Sequence, residues 1–197
     1  MAVRFSALFL LVMSGIMCCA KRGDIYYTTF TKADSVTDTY LSLQDSVLRS
    51  WNMMIHDDNQ KIKTLRNLLH ELQVTTLDDT LNVYTEKLDH LKELRYDEQT
   101  MWDRSVIEQY DQVSRQLSND LISIAEARSE FNYNATLQKL VQEIRVADQR
   151  IDLFKSEYDV ITTKFNTFLR ANRDYLIEIG QKDSLALRPL FQSSSSE

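Results

Sequence analysis

His56, Asp57 and Asp58 stand in a row, and these are residue types that ligate zinc or move protons. Successive side chains on a helix point about 100° apart. The run can therefore close on one ion only if other helices supply the remaining ligands. His70 and His90 bring no partner at ligand spacing. Helical di-metal centres use Glu-x-x-His, and no Glu of this chain is followed by His three residues on. The run is expected to be surface or partly buried polar residues. No nucleophile elbow, phosphate loop or zincin pattern is present. Trp51, Trp102, Phe154, Tyr158, Phe165 and Phe168 fall at helical spacing, which predicts core side chains rather than the lining of a ligand groove. The sequence thus assigns no catalytic residue, no cofactor and no metal ligand, and the chain does not read as an enzyme.

Cys18 and Cys19 are the remaining reactive groups. They follow Arg4 and an apolar run over 5–17. That run is shorter than the roughly 20 apolar residues a bilayer span needs, and it has the layout of an export signal. A cysteine closing such a run resembles the lipobox of bacterial lipoproteins, where it becomes the first mature residue and carries the acyl chains. Ile16 and Met17 suit that reading, while Cys18 stands where Gly, Ala or Ser is usual. Cys19 is the expected lipid attachment site. Ordinary cleavage after Ala20 and an uncleaved anchor are the alternatives. Beyond Cys19 there is no cysteine, so the exported domain has to rest on its core rather than on disulfides.

The elements that position these residues are constrained by composition. The 197 residues include three Gly and one Pro. Hairpins and phosphate-binding loops lean on Gly, which reaches positive φ without steric cost. A β-sandwich, a Rossmann sheet and a P-loop enzyme are disfavoured on that ground. Apolar residues make up 43% and charged residues 26%, enough to build a core. What remains is an all-α protein with long helices. The net charge of −6 is spread along the chain. Nucleic-acid binding draws on clustered Lys and Arg, so no nucleic-acid partner is expected.

Ser35-Val36-Thr37-Asp38 has the form of a capping box. Val36, Tyr40, Leu43, Val47, Trp51, Met54, Ile62, Leu65, Leu69 and Leu72 then recur in steps that share one helix face, interrupted by Asp58. This predicts a first helix over 35–72. Thr76-Leu77-Asp78-Asp79 is a second capping box, opening a stripe through Leu81, Tyr84, Leu88 and Leu91. A third stripe runs through Trp102, Val106, Tyr110, Val113, Leu117, Leu121 and Ile124. A single helix over 78–128 would be about 75 Å long, so a turn is placed at 95–100. Asn134 is the expected N-cap of the last helix. Its stripe runs from Leu137 through Leu140, Ile144, Ala147, Ile151, Phe154, Tyr158, Ile161, Phe165, Phe168, Asn172 and Tyr175 to Ile179, and Gly180 stops it. The expected organisation is an export signal over 1–18, a lipidated tether over 19–34, an up-and-down four-helix bundle over 35–180 and a flexible tail over 181–197. In that bundle Arg150 lies level with 58–62 and is expected to pair with Asp58 or Glu126.

Arg150-Ile151, Tyr158-Asp159, Phe165-Asn166-Thr167 and Arg170 follow one another without gaps. Upstream stand Ile124-Ala125-Glu126, Leu137 and Leu140, and in the first helix Trp51 and Asn67-Leu68-Leu69. Together these positions resemble the LemA family of bacterial membrane-attached helical proteins, over about residues 35–170. Arg66, Ser129-Glu130 and Ala171-Asn172 replace the family's Pro, Pro-Asp and Phe-Pro, and Asp57-Asp58-Asn59-Gln60 replaces its basic run. The likeness is therefore to a divergent member. It implies a four-helix bundle on a membrane anchor in the bacterial cell envelope and no defined biochemistry. The function expected is that of a non-enzymatic, membrane-tethered interaction or scaffold module, held to the membrane by its N-terminal lipid and working on a protein partner through an exposed helix face. The alternative is an envelope binding protein for a small ligand held between the helices. Such a pocket requires small residues in the stripe, where only Ala147 breaks the run of large ones.

Overall fold

The computed structural model describes residues 30–75, 79–181 and 185–192. Its elements are α1 (Lys32–Thr75), a 3₁₀ turn at Asp79–Leu81, α2 (Asn82–Glu93), a second 3₁₀ turn at Thr100–Trp102, α3 (Arg104–Glu126) and α4 (Ala135–Glu178). No strand occurs among the described residues, and the architecture is the expected all-α bundle with long helices. α1 and α4 have 44 residues each, about 66 Å of helix at 1.5 Å per residue.

The helix boundaries have local causes. α1 starts ahead of the expected cap, inside the segment read as tether. Ser35 lies within the helix and its carbonyl accepts from the Thr39 hydroxyl at 2.8 Å. The Ser35 capping box is therefore not used. Most of the second box, residues 76–78, lies outside the described residues. Between α2 and α3 the helix is broken by Asp97. Its Oδ1 accepts from the N–H groups of Gln99 and Thr100, at 2.9 and 2.8 Å, and from the Thr100 hydroxyl at 3.0 Å. Such an Asx turn offers the backbone an alternative to the helix. The same bonds, led by those from Thr100, hold the Asp97 carboxyl below its ordinary range. The turn expected at 95–100 is thus fixed by one side chain. Asp103 caps α3 by accepting from the Ser105 N–H at 2.9 Å. Asn134 caps α4 as expected, accepting from the N–H groups of Thr136 and Leu137 at 3.0 and 3.1 Å. Gly180, with φ of 90°, lets the chain leave α4 through a left-handed residue.

Cross-helix pairs set the topology. Tyr40 packs on Phe165, Trp51 on Tyr158, and Lys61 bonds Asp148, so α1 and α4 are antiparallel. Gln73 meets Asn82 and Arg66 meets Asp89, which turns α2 back along α1. α3 runs parallel to α1, with Tyr110 at Asp58 and Ser114 at Lys61. It is antiparallel to α4, with Arg115 near Asp152 and Glu126 at Arg145. The result is up, down, up, down.

The α4 stripe is buried, but its face is turned by one position from the expected seam. Leu137, Ile144, Ile151, Tyr158 and Phe165 are core residues. Their expected seam partners Leu140, Ala147, Phe154, Ile161, Phe168 and Tyr175 are only half-buried. The second buried column is instead Val141, Thr162, Leu169 and Leu176, and the places between Val141 and Thr162 in that column are taken by Asp148 and Lys155. The column is apolar at its ends and polar in the middle. Each fully buried large apolar side chain contributes roughly 1.5–3 kcal/mol, which makes the polar interruption costly unless it is paired.

Two further expectations are corrected. Trp102 is 64% exposed, and its neighbour Met101 takes the core place. The 3₁₀ turn before Asp103 rotates the chain, so helical spacing does not extend back to residue 102. The segment 181–197 is not a flexible tail over 185–192. Leu185 and Phe191 are buried, and Asn166 and Asp159 hydrogen-bond its backbone. Cys19 and the expected export signal over 1–18 lie outside the described residues.

Candidate functional site

The polar middle of the α4 column faces an equally polar stretch of α1. Asp57, Asp58 and Lys61 are all buried, against the expectation of surface or partly buried residues for the 56–58 run. His56, His70 and His90 are exposed. No group of three or more His, Cys, Asp or Glu placed to hold a metal ion is found among the described residues.

Each acid of this belt has a basic partner on another element. Asp58 accepts from the Tyr110 hydroxyl at 2.5 Å, and the Arg95 guanidinium lies 2.7 Å from the same oxygen. Lys61 donates to Asp148 at 2.9 Å and to the Ser114 hydroxyl at 2.6 Å. Lys155 donates to both oxygens of Asp111, at 2.6 and 2.7 Å. Arg150 grips Asp57 with two parallel bonds. Neither expected partner of Arg150 is the observed one. Adjacent residues on α1 differ by about 100°, which aims Asp57 at α4 and Asp58 at α3. Glu126 is taken by Arg145 at 2.8 Å.

The pairs of Lys61 and Lys155, with Asp58 and Tyr110, border a cleft of about 290 Å³ between α1, α3 and α4, whose walls include Asp58, Lys61, Tyr110, Asp111, Asp148 and Lys155. Burial, then the charge of Asp58 and its hydrogen bond, push the Tyr110 phenol well above its ordinary value. Burial pushes Tyr96 the same way, with Asp111 next in effect. Both therefore stay neutral donors through the physiological range. The Asp57 carboxylate raises the Arg150 guanidinium further, through its hydrogen bonds first and its charge second.

No family model matches the chain, and no curated protein or solved structure is found to match it. The likeness to the LemA family rests on its motif residues alone, and several of these from α4 fall at two places. Arg150 and Ile151 lie at the polar belt, Ile151 in the cleft wall. Tyr158, Asp159 and Asn166 lie where the chain's C-terminal segment returns, and Phe165 packs on Tyr40.

In the sequence Arg150 reads as an ion-pairing residue, and Asp58 as a break in the α1 stripe and a candidate partner of Arg150. Tyr110 is expected there as a stripe residue of the third helix, and Lys61, Asp111, Asp148 and Lys155 carry no expected role. The available signal was the α4 heptad itself, where Asp148 and Lys155 are spaced like the core positions Val141 and Thr162. Charged residues at core spacing on two long helices call for partners across the bundle.

Proposed function

We propose that the chain is a non-enzymatic, membrane-tethered helical-bundle protein of the bacterial cell envelope, a divergent LemA-like lipoprotein attached through Cys19, that acts as an interaction or scaffold module. One observation carries the reading. α4 turns two heptad columns into the bundle and still presents a third, outward one: Val146, Leu153 and Val160 are 37%, 63% and 57% exposed. Leu48 and Met53 of α1 are also exposed, and with the half-buried Phe154 they line a groove beside Arg150. Exposed apolar side chains in series mark interaction surfaces. The one-to-one pairing in the polar belt supports the same reading, since paired buried ions suit a role in holding helix register.

Site-specific photo-crosslinking in membranes tests it. A crosslinker at Leu153 or Val160 is expected to capture one partner, and a crosslinker at Gln116 on α3 is expected to capture none. Capture at Leu153 should disappear with Val160→Glu while helicity is kept. Equal capture from both faces, or none from α4, contradicts the reading.

The cleft of about 290 Å³ favours a second reading, a small polar ligand held between the helices. Such a ligand has to exchange with the ion pairs of Lys61 and Lys155. A raised melting temperature in a screen of small zwitterions and polyamines, abolished by Asp111→Asn, would support it.

A further inference from the structure

Phe191 enters a box of three aromatic rings supplied by separate elements: Trp51 from α1, Tyr96 from the α2–α3 turn and Tyr158 from α4. The ring centroids lie 6.4, 5.5 and 5.4 Å from that of Phe191, with Trp51 stacked and the two tyrosines edge-on. The Lys155 ammonium sits 5.3 Å from the centre of the Phe191 ring. Trp51 also touches Tyr96 and Tyr158 directly, at 6.2 and 5.8 Å. The walls of the box thus belong to the bundle and to each other.

The backbone on either side of Pro189 is read by bundle side chains. The Asn166 amide donates to the Arg188 carbonyl and accepts from its N–H, both at 2.8 Å. The Asp159 carboxylate accepts from the N–H groups of Phe191 and Gln192, at 2.7 and 2.9 Å. The Arg188 guanidinium pairs with Glu98. Pro189, itself buried, fixes its own φ and biases Arg188 to extended backbone, so little conformational entropy is lost when this stretch docks. Side-chain bonds to the main chain, a charge pair and one aromatic pocket are the components of extended-peptide recognition.

We propose that this groove is a peptide-recognition site, that residues 185–192 are its displaceable intramolecular ligand, and that it takes in trans an extended segment of a partner protein with an arginine three residues before an aromatic side chain. The resident segment shows the chemistry the partner has to match: a cation for Glu98, free backbone groups for Asn166 and Asp159, and a ring for the box. Tethered close to the groove after Gln181, the resident segment competes at an effective concentration in the millimolar range, which keeps the site closed to weak ligands. The groove shares no residue with the lipid anchor or with the outward face of α4.

The test uses the full chain and a fluorescent peptide copying residues 185–192. Full-length Phe191→Ser, whose own segment has lost its anchor, is expected to bind the peptide at least tenfold more tightly than the wild type. A peptide with alanine in place of its phenylalanine is expected to lose that binding. No binding by a Phe191→Ser chain of native helicity overturns the proposal, and so does loss of helicity in that variant, because the segment is then core and not ligand. Hydrogen exchange on the unaltered chain gives a second reading. The amides of Arg188, Phe191 and Gln192 should exchange at least 100-fold faster than those of α4 around Tyr158. Exchange of both sets together, only through global unfolding, overturns the proposal. A wild-type dimer with the segment exchanged between copies would make a second copy the occupant and overturn the partner assigned here.

Discussion

Lys61 Nζ lies 2.9 Å from Asp148 Oδ1, with the lysine side chain 4% exposed and the aspartate 34%. The two ends of this pair are not equivalent. Asp148 can still reach water, whereas Lys61 depends on Asp148 and the Ser114 hydroxyl at 2.6 Å. One ammonium thus ties α1 to α3 and α4 at the middle of the bundle.

The asymmetry predicts opposite outcomes for the two partners. Asp148→Ala strands a buried charge and is expected to cost about 3–5 kcal/mol. Lys61→Met leaves a carboxylate that can hydrate and fills the same volume with apolar atoms, so it should cost much less, about 1 kcal/mol or below. Guanidinium denaturation of both variants checks the order. A larger loss for Lys61→Met would show that the pair is a net source of stability.

Tyr158 is pushed up to about 12, chiefly by burial, and Tyr96 and Tyr110 are raised further in the same direction. A phenol whose folded value exceeds its unfolded value keeps its proton longer in the folded chain. Its contribution is whole below the unfolded value of 10.0 and is lost as pH rises through the folded one. Stability should therefore fall above about pH 10 and not before it through these groups. Denaturation midpoints along a pH series, with tyrosinate absorbance recorded in parallel, check this. Full tyrosine ionisation near pH 10 in a chain of native helicity would contradict it. Tyr110→Phe, which removes one of the two groups on Asp58 Oδ2, should cost about 1–3 kcal/mol.

Arg150 is 53% exposed while the Asp57 carboxylate it grips is 4% exposed. Arg150→Lys keeps the charge and gives up the planar fork. Because the arginine end is in water, the expected loss is within about 1 kcal/mol. Arg150→Glu sets a like charge against a buried carboxylate and should cost several-fold more. Thermal melts of the pair in low and high salt check this, since a buried carboxylate is screened little and salt should recover only a small part of the Arg150→Glu loss.

The legibility of this fold follows the range of the interactions. Asn134 and Gly180 act on backbone groups within a few residues, so their roles at the ends of α4 were readable in the sequence. Asp97 acts equally locally but is not legible as a stop, because a lone aspartate between Tyr96 and Glu98 carries no Gly, Pro or capping pattern. The inward column Leu137, Ile144, Ile151, Tyr158 and Phe165 was legible from periodicity. Which of its flanks is also buried depends on where α1 and α3 sit, and periodicity alone does not fix that. Asp57 and Asp58 look identical in sequence, and only the rotation of α1 sends one to Arg150 and the other to Tyr110 and Arg95. The return of Phe191 to Trp51 brings together residues far apart in the described chain, and no local pattern announces it.

The reading of this protein as a tethered envelope module depends most on how its amino terminus is held. Acyl chains contribute about 0.8 kcal/mol per buried CH₂, and stable attachment takes more than one chain. The decisive measurement is the mass of the amino-terminal peptide of the protein isolated from membranes. The account predicts a peptide that begins at Cys19, carries acyl chains and is lost in Cys19→Ala. An unmodified peptide beginning at Lys21 would contradict it.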